Sequence, residues 1–367
     1  MRTRRATPDD AARLSEMFAE VTMESDLHLA VERPDFYAFY EMQQADYVAF
    51  VCEVDGRIEG LGSVLGRDGF VGGERQRIGY AGDLRLTKKV RGTEFLTEHY
   101  GGLLDQAGEA VGTRLFYTGI ITSNRRAVAA LTQRQERWPD IPVYTEFQRF
   151  QITNVQFTGR KKPRATGLDV RPATDSDIAA IAGFLGNQHR DLAFGYPFDE
   201  AFLRERLRRW PGLGIAEFIL AFDGPTLVGV VASWDAWDVK RYRVLGYYNK
   251  MRWIRLGFNA LAPFVRAASL PKPGGLLRYF YLTHVGIEGL DPAIMSALLD
   301  HVYAAKCAAG YHFFSAAVLQ DDPLAPAFKR FTTTPLPAAL YTVTRPGDPI
   351  PIEALRDARP GFEMALV

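Results

Sequence analysis

The chain has 367 residues, 47% of them hydrophobic and 24% charged, with a formal net charge of +1. Its length predicts two or three domains with ample apolar material for their cores, and its balanced charge excludes a global field that would draw it to nucleic acid or membrane. Two cysteines, Cys52 and Cys307, lie far apart in apolar runs and are expected as buried free thiols, which excludes a disulfide or cysteine-built metal framework.

The opening Met1-Arg2-Thr3-Arg4-Arg5 lacks the apolar core of a secretion signal, and no apolar run approaches the ~20 residues of a membrane span, so a cytoplasmic location is the expectation. Arg2 to Arg5 reads as a strand. Thr7-Pro8-Asp9-Asp10 then opens a helix, with Thr7 as cap, Pro8 in the first turn and two acids at the positive end of the dipole. Leu14, Met17, Phe18 and Val21 share its inner face. A second helix is expected from Phe36 to Gln44. Strand Tyr47 to Val54 meets Asp55-Gly56, a strong hairpin turn, and returns as Ile58 to Leu65. Arg75 to Leu86 is a longer strand, Glu94 to Val111 a helix and Arg114 to Ile121 a strand. Ser123-Asn124 caps a helix to about Gln133, and Pro142 to Thr153 closes the unit as β-α-α-β-β-β-α-β-α-β.

The polar, basic stretch Thr158 to Arg164 reads as a linker. Beyond it the beginning recurs. Arg4, Ala6, Thr7 and Asp10 match Arg171, Ala173, Thr174 and Asp177, and Phe218 to Phe222, Asp223-Gly224 and Leu227 to Ser233 repeat the hairpin at nearly the same offset. A repeat of this size means two copies of one domain: residues 1–156, a linker at 157–167, and residues 168–367. The second copy continues through strand Leu276 to Val285, helix Pro292 to Ala309, strand His312 to Leu319, a helix opened by Asp321-Asp322-Pro323, and strand Leu340 to Thr344. Residues 246–275 have no counterpart in the first copy. They set Lys250, Arg252, Arg255, Arg266 and Lys272 among large apolar residues, and read as a surface helix packed on the protein, or as a lid, acyl-chain or membrane-surface contact. The apolar tail, Pro360 to Val367, is expected to dock, as an added strand for example.

The stretch around which the chain is organised is Asp83 to Glu94. An apolar strand ends in the basic turn Lys88-Lys89-Val90-Arg91-Gly92-Thr93 and hands over to a helix N-terminus. Unpaired N–H groups, the helix dipole and nearby cations there converge on an anion. The second copy's equivalent, Thr283 to Pro292, lacks an Arg-Gly pair and places Asp291-Pro292 at the helix start, an N-cap that fills the anion site with protein.

This order of elements, with its strand, basic turn and helix, resembles the GNAT acyltransferase superfamily twice over, across most of the chain. Leu86-Thr87-Lys88-Lys89-Val90-Arg91-Gly92-Thr93-Glu94-Phe95-Leu96 falls on the family's cofactor motif. Arg91 and Gly92 match it, Lys88 stands where proline is common, and Glu94 and Leu96 stand where later glycines are expected. The resemblance implies two tandem α/β (α+β) domains, each a mixed, mostly antiparallel sheet flanked by helices. It implies acetyl-CoA or another acyl-CoA at Leu84, Leu86, Lys88, Lys89, Arg91, Gly92, Thr93, Glu94 and Asn124, a small-molecule amine as acceptor and no nucleic-acid partner. Asp83, with Tyr80, is the implied proton acceptor. The tyrosine that often protonates the leaving thiolate is absent, with Thr132 near its place in the first copy, Phe328 in the second, and Tyr117 as a substitute. The other reading is a non-catalytic binding protein on degenerate domains. None of His28, His99, His189, His284, His301 and His312 shows metal spacing; His284, beside the second turn, is the one to test.

Overall fold

The computed structural model describes residues 1–132 and 140–366; the expected helix end at Gln133 and the tail's Val367 lie outside them. In the first half, β1 (Arg2–Arg5), α1 (Ala11–Glu20), β2 (Leu27–Glu32), α2 (Ala38–Glu41), β3 (Asp46–Val54), β4 (Arg57–Val71), β5 (Glu74–Leu86), α3 (Phe95–Val111), β6 (Phe116–Ile121), α4 (Arg125–Thr132) and β7 (Val143–Gln156) follow in order. The second half runs β8 (Asp169–Pro172), α5 (Ile178–Arg190), α6 (Glu200–Arg209), β9 (Phe218–Asp223), β10 (Thr226–Trp234), β11 (Arg241–Tyr247), α7 (Asn249–Val265), β12 (Leu276–Leu277), β13 (Tyr279–Ile287), α8 (Pro292–Lys306), β14 (Phe313–Leu319), β15 (Thr333–Thr344) and α9 (Ile352–Asp357).

The repeat seen in the sequence is a repeat of geometry. Arg4 grips Asp10 through two bonds of 2.7 and 2.8 Å, and Arg171 grips Asp177 through two of 2.8 Å. In each half the Asp also accepts the N–H and hydroxyl of the capping threonine, Thr7 or Thr174, closing a capping box. The hairpins differ in their turns. Asp55 and Gly56 both take positive φ (51° and 74°), as a type I′ turn requires. In the second half Asp223 pairs with Thr226, so the loop is Gly224-Pro225 rather than the expected Asp223-Gly224, with only Gly224 left-handed at φ 55°.

Twelve strands form one sheet in the order β1-β3-β4-β5-β6-β15-β7-β14-β13-β10-β9-β8. Each half's last strand crosses into the other: β15 lies between β6 and β7, and β7 pairs with β14. β15 begins at Thr333, well before the expected Leu340. Its early prolines, Pro335 and Pro337, tolerate the sheet because β6 pairs only from Ala338 onward, so the missing N–H groups disrupt no ladder on that side. A second sheet, β12-β11-β2, also joins the halves, with Tyr247 opposite Leu27 and Arg241 opposite Glu32.

Three further expectations change. The helix from Phe36 to Gln44 is one turn, Ala38–Glu41, with Phe36, Phe39, Tyr40 and Met42 buried, and Gln44 leaves the helical path at φ 55°. The helix opened at Asp321 is a short 3₁₀ turn, Ala325–Phe328. The tail docks, but as a single bridge of Pro360 to Ala193 and a 3₁₀ turn with Met364, Ala365 and Leu366 buried, not as a strand. Cys52 and Cys307 are free and buried.

Candidate active site

β5 and β6 are the parallel neighbours at the heart of the first half, and they pair only at Gly79↔Phe116 and Tyr80↔Tyr117. Gly79 allows that close approach, since a Cβ there would lie 2.3 Å from the Phe116 ring. Past Tyr80 the strands separate. On its other side β5 is bulged against β4, between the pairs Leu61↔Arg85 and Ser63↔Gly82, and Asp83 stands in the bulge at φ 52°. A bulge bends its strand and increases its twist, which carries β5 away from β6 and turns the Asp83 side chain onto the face covered by α1 and α2.

Asp83 is the electrostatic centre of that face. Its carboxylate accepts from Arg33 Nη2 at 2.9 Å and from the Tyr40 hydroxyl at 2.6 Å. Arg33 is buried, its guanidinium 4.3 Å from both the Phe18 and Phe39 ring centroids, and its Nε and Nη1 have no hydrogen-bond partner. Burial pushes the Asp83 carboxyl up, but Arg33, then Tyr40 and Arg85, outweigh it and hold it below its ordinary value. Arg85, bonded to the Val21 carbonyl at 2.7 Å, is pulled down by burial to about 10. Buried Lys240, from the loop before β11, is also lowered by burial. One carboxylate therefore stands among three cations. Tyr80 and Tyr117 pack with ring centroids 5.2 Å apart; burial raises both hydroxyls, Tyr117 to about 12.

The basic turn lies at the end of β5. Lys88, Lys89, Arg91, Gly92, Thr93 and Glu94 are exposed around buried Val90. The turn already uses much of its own N–H supply. The Thr87 carbonyl takes Val90 N and Arg91 N, the Val90 carbonyl takes Thr93 N, and Thr93 Oγ1 accepts from Phe95 N. Of the cations, Lys89 pairs with Glu59 at 3.2 Å and Arg91 Nη2 reaches the Leu86 carbonyl at 3.0 Å. Gly92 is left-handed at φ 84° and faces open space. An anion here meets cationic side chains more than free backbone donors.

The second half repeats the splay with different contents. β13 and β14 pair in parallel from Tyr279↔Phe313 to Tyr281↔Ser315 and then part, and β13 is bulged against β10 between Val230 and Ala232. His284 takes the place of Asp83, again left-handed at φ 51°. It is fully buried among Phe198, Trp210 and Phe218, and its N–H donates to Glu363 of the tail at 3.0 Å. Burial, then Arg206 and His189, hold its imidazole well below the ordinary value, so it is neutral. The helix after the splay, α8, is capped by Asp291, which accepts from Ala293 N at 2.7 Å.

No family model and no curated protein matches the sequence. Solved structures do match the fold. A GCN5-related N-acetyltransferase from Sphaerobacter thermophilus is similar over 95% of this chain and 98% of its own, at TM-score 0.56 and 14% identity. A tandem GNAT protein from the clavulanic acid biosynthesis pathway is similar over 95% and 99%, at TM-score 0.56 and 9% identity. Saccharomyces cerevisiae N-myristoyltransferase with bound myristoyl-CoA is similar over 95% and 84%, at TM-score 0.58 and 9% identity. The fold is GNAT-like.

The GNAT-like frame puts Tyr80 and Asp83 at the splay, Leu84 and Leu86 along the diverging edge of β5, and Lys88 to Glu94 at the turn. Asn124 caps α4 through its Oδ1 to Ala127 N. Thr132 is spent on the Val128 carbonyl at 2.8 Å, and Phe328 is buried. Sequence reasoning missed Arg33, Tyr40, Arg85 and Lys240. The available signal was Arg33 set directly ahead of the aromatic cluster Phe36, Tyr37, Phe39 and Tyr40, an unlikely charge to leave unpaired in such surroundings. Among the described residues no group of three or more His, Cys, Asp or Glu side chains is arranged to hold a metal.

Proposed function

We propose that the protein is an acyl-CoA-dependent N-acyltransferase that acetylates a small amine at the first-half splay, with residues 1–156 as the cofactor-bearing unit and 168–367 as its supporting partner. The observation that carries this reading is the carboxylate of Asp83, held ionised at a bulge beside two separating parallel strands. Acyl-CoA would supply an acyl group to the amine nitrogen and leave with the thiolate. Lys88 and Arg91 would meet its phosphates at the exposed turn, and Leu84 and Leu86 would line its path along β5. The cations around Asp83 disfavour a protonated amine and so favour the nucleophilic form, while the Asp83 carboxylate takes the displaced proton, directly or through water. Arg33 and Tyr40 fix its orientation at the cost of basicity.

Calorimetric titration with acetyl-CoA tests the reading. Binding should be measurable and lost in Arg91→Glu. Absence of binding at millimolar cofactor would sink the enzyme reading, and unchanged affinity in Arg91→Glu would move the site to the second half.

A further inference from the structure

Helix α7 leaves most of its large apolar residues exposed. Surface helices turn their apolar stripe to the protein and their polar face to water. Here the inward side is mixed, with half-buried Met251, Arg255, Phe258 and Asn259 beside buried Ala262, and much of the apolar surface faces out. Asn259 bonds both the N–H and the carbonyl of Leu270, at 2.8 and 2.9 Å, and Arg255 Nε donates to the Pro271 carbonyl at 3.0 Å. Ala262 is the buried residue on that side. The opposite side carries Trp253 at 71% exposure, Leu261 at 62% and Phe264 at 84%, with Ile254, Leu256 and Val265 also exposed. So much contiguous apolar surface on one helix marks an interaction site.

The charge around the patch selects its occupant. From Val239 to Ile287 there is no acidic residue. Lys250 and Arg252 sit in the first turn of α7, Arg266 caps its end and Lys272 follows it, and none of the four has an ion pair among the described residues. The acid near the helix start, Asp26, is bonded to Asn249. A second copy of the helix would oppose cations to cations in either direction, since both ends are basic. An apolar face flanked by cations with aromatic residues among its anchors matches the chemistry of an anionic bilayer surface, where the rings enter the headgroup boundary and the cations meet lipid phosphates. Among the described residues no helix is long and apolar enough to cross a membrane; this one would lie in its surface.

We propose that α7 docks the protein on anionic lipid membranes, with Trp253, Leu261 and Phe264 inserted and Lys250, Arg252, Arg266 and Lys272 against headgroups. The test is co-sedimentation of the full chain with phosphatidylcholine vesicles and with vesicles about one third phosphatidylglycerol. Binding is expected only to the anionic vesicles, falling at least about fivefold when salt rises from ~0.1 to ~0.5 M. Leu261→Ser with Phe264→Ser should abolish it, and Lys250→Glu with Arg252→Glu should weaken it by about tenfold or more, since each cation near the surface is worth about one kcal/mol. All four positions are exposed, so unchanged melting temperatures are expected. The blue shift of tryptophan emission on vesicle addition should vanish in Trp253→Phe. No binding to anionic vesicles, equal binding to neutral ones, or a dimer in gel filtration that the serine variant converts to monomer would each overturn the proposal.

Discussion

The two splays are the same piece of architecture put to opposite ends. Each is a parallel pair of strands that parts beside a bulge, with a left-handed titratable residue at the bulge. In the first half that residue is Asp83, ionised and gripped by Arg33 and Tyr40, and the turn beyond is basic and exposed. In the second half it is His284, neutral, walled in by aromatic rings, with its N–H taken by the tail's Glu363 and the next helix capped by Asp291. The comparison teaches that the same backbone device can hold an ionised carboxylate among cations or a neutral imidazole walled in by rings. What distinguishes a site from a scaffold is which groups remain available around the bulge.

The largest effect should come from the residue that separates the two. Asp83→Asn keeps the shape but cannot take a proton, and should lower kcat by roughly 10² to 10⁴ with the fold intact. A loss below about tenfold would leave Asp83 no more catalytic than His284. Next is its partner: Arg33→Met strands a mostly buried carboxylate and should lower unfolding free energy in urea by about 3–5 kcal/mol. A smaller loss would show that water relieves Asp83 in a way His284 does not enjoy. Asp291→Ala removes an N-cap in the second half and should cost about 1 kcal/mol of stability without changing acyl-CoA affinity. A gain of cofactor binding there would reveal a second site closed only by its cap.

The smallest effect tests the repeat itself. Asp10 is held down to about 2, by its bond from Arg4 first, and Asp177 lower still for the same reason. A carboxyl lowered on folding stabilises above its unfolded value near ~4, and that stability fades as pH falls through the folded value. Asp10→Asn and Asp177→Asn should each be less stable than the parent at pH 7, with the difference shrinking as pH falls from about 4 toward 2. The loss should be the larger for Asp177→Asn, whose carboxyl is held lower; acid titrations of thermal unfolding in which one variant lost nothing would break the equivalence of the two openings.

Local chemistry made much of this legible. Thr7-Pro8-Asp9-Asp10 and its echo at Thr174 announced helix starts, because those residues act within four positions of one another, and the structure closes them as capping boxes. Asp55-Gly56 announced its turn through backbone preference alone, and Asp291 announced the closed helix end. The alternation of strands with amphipathic helices, and the basic turn after β5, carried the GNAT-like fold.

What the sequence alone determined about this protein is therefore its short-range grammar: caps, turns, periodic faces and the order in which they come. Tertiary structure decided the rest, because it depends on partners far along the chain. Fifty residues separate Arg33 from Asp83, and 79 separate His284 from Glu363. The exchange of β7 and β15 between halves is a choice among pairings that local patterns leave nearly equal. The sequence left open whether the apolar residues of α7 pack on the protein or face outward; the folded chain, by bonding Asn259 and Arg255 inward, left Trp253, Leu261 and Phe264 on the outside.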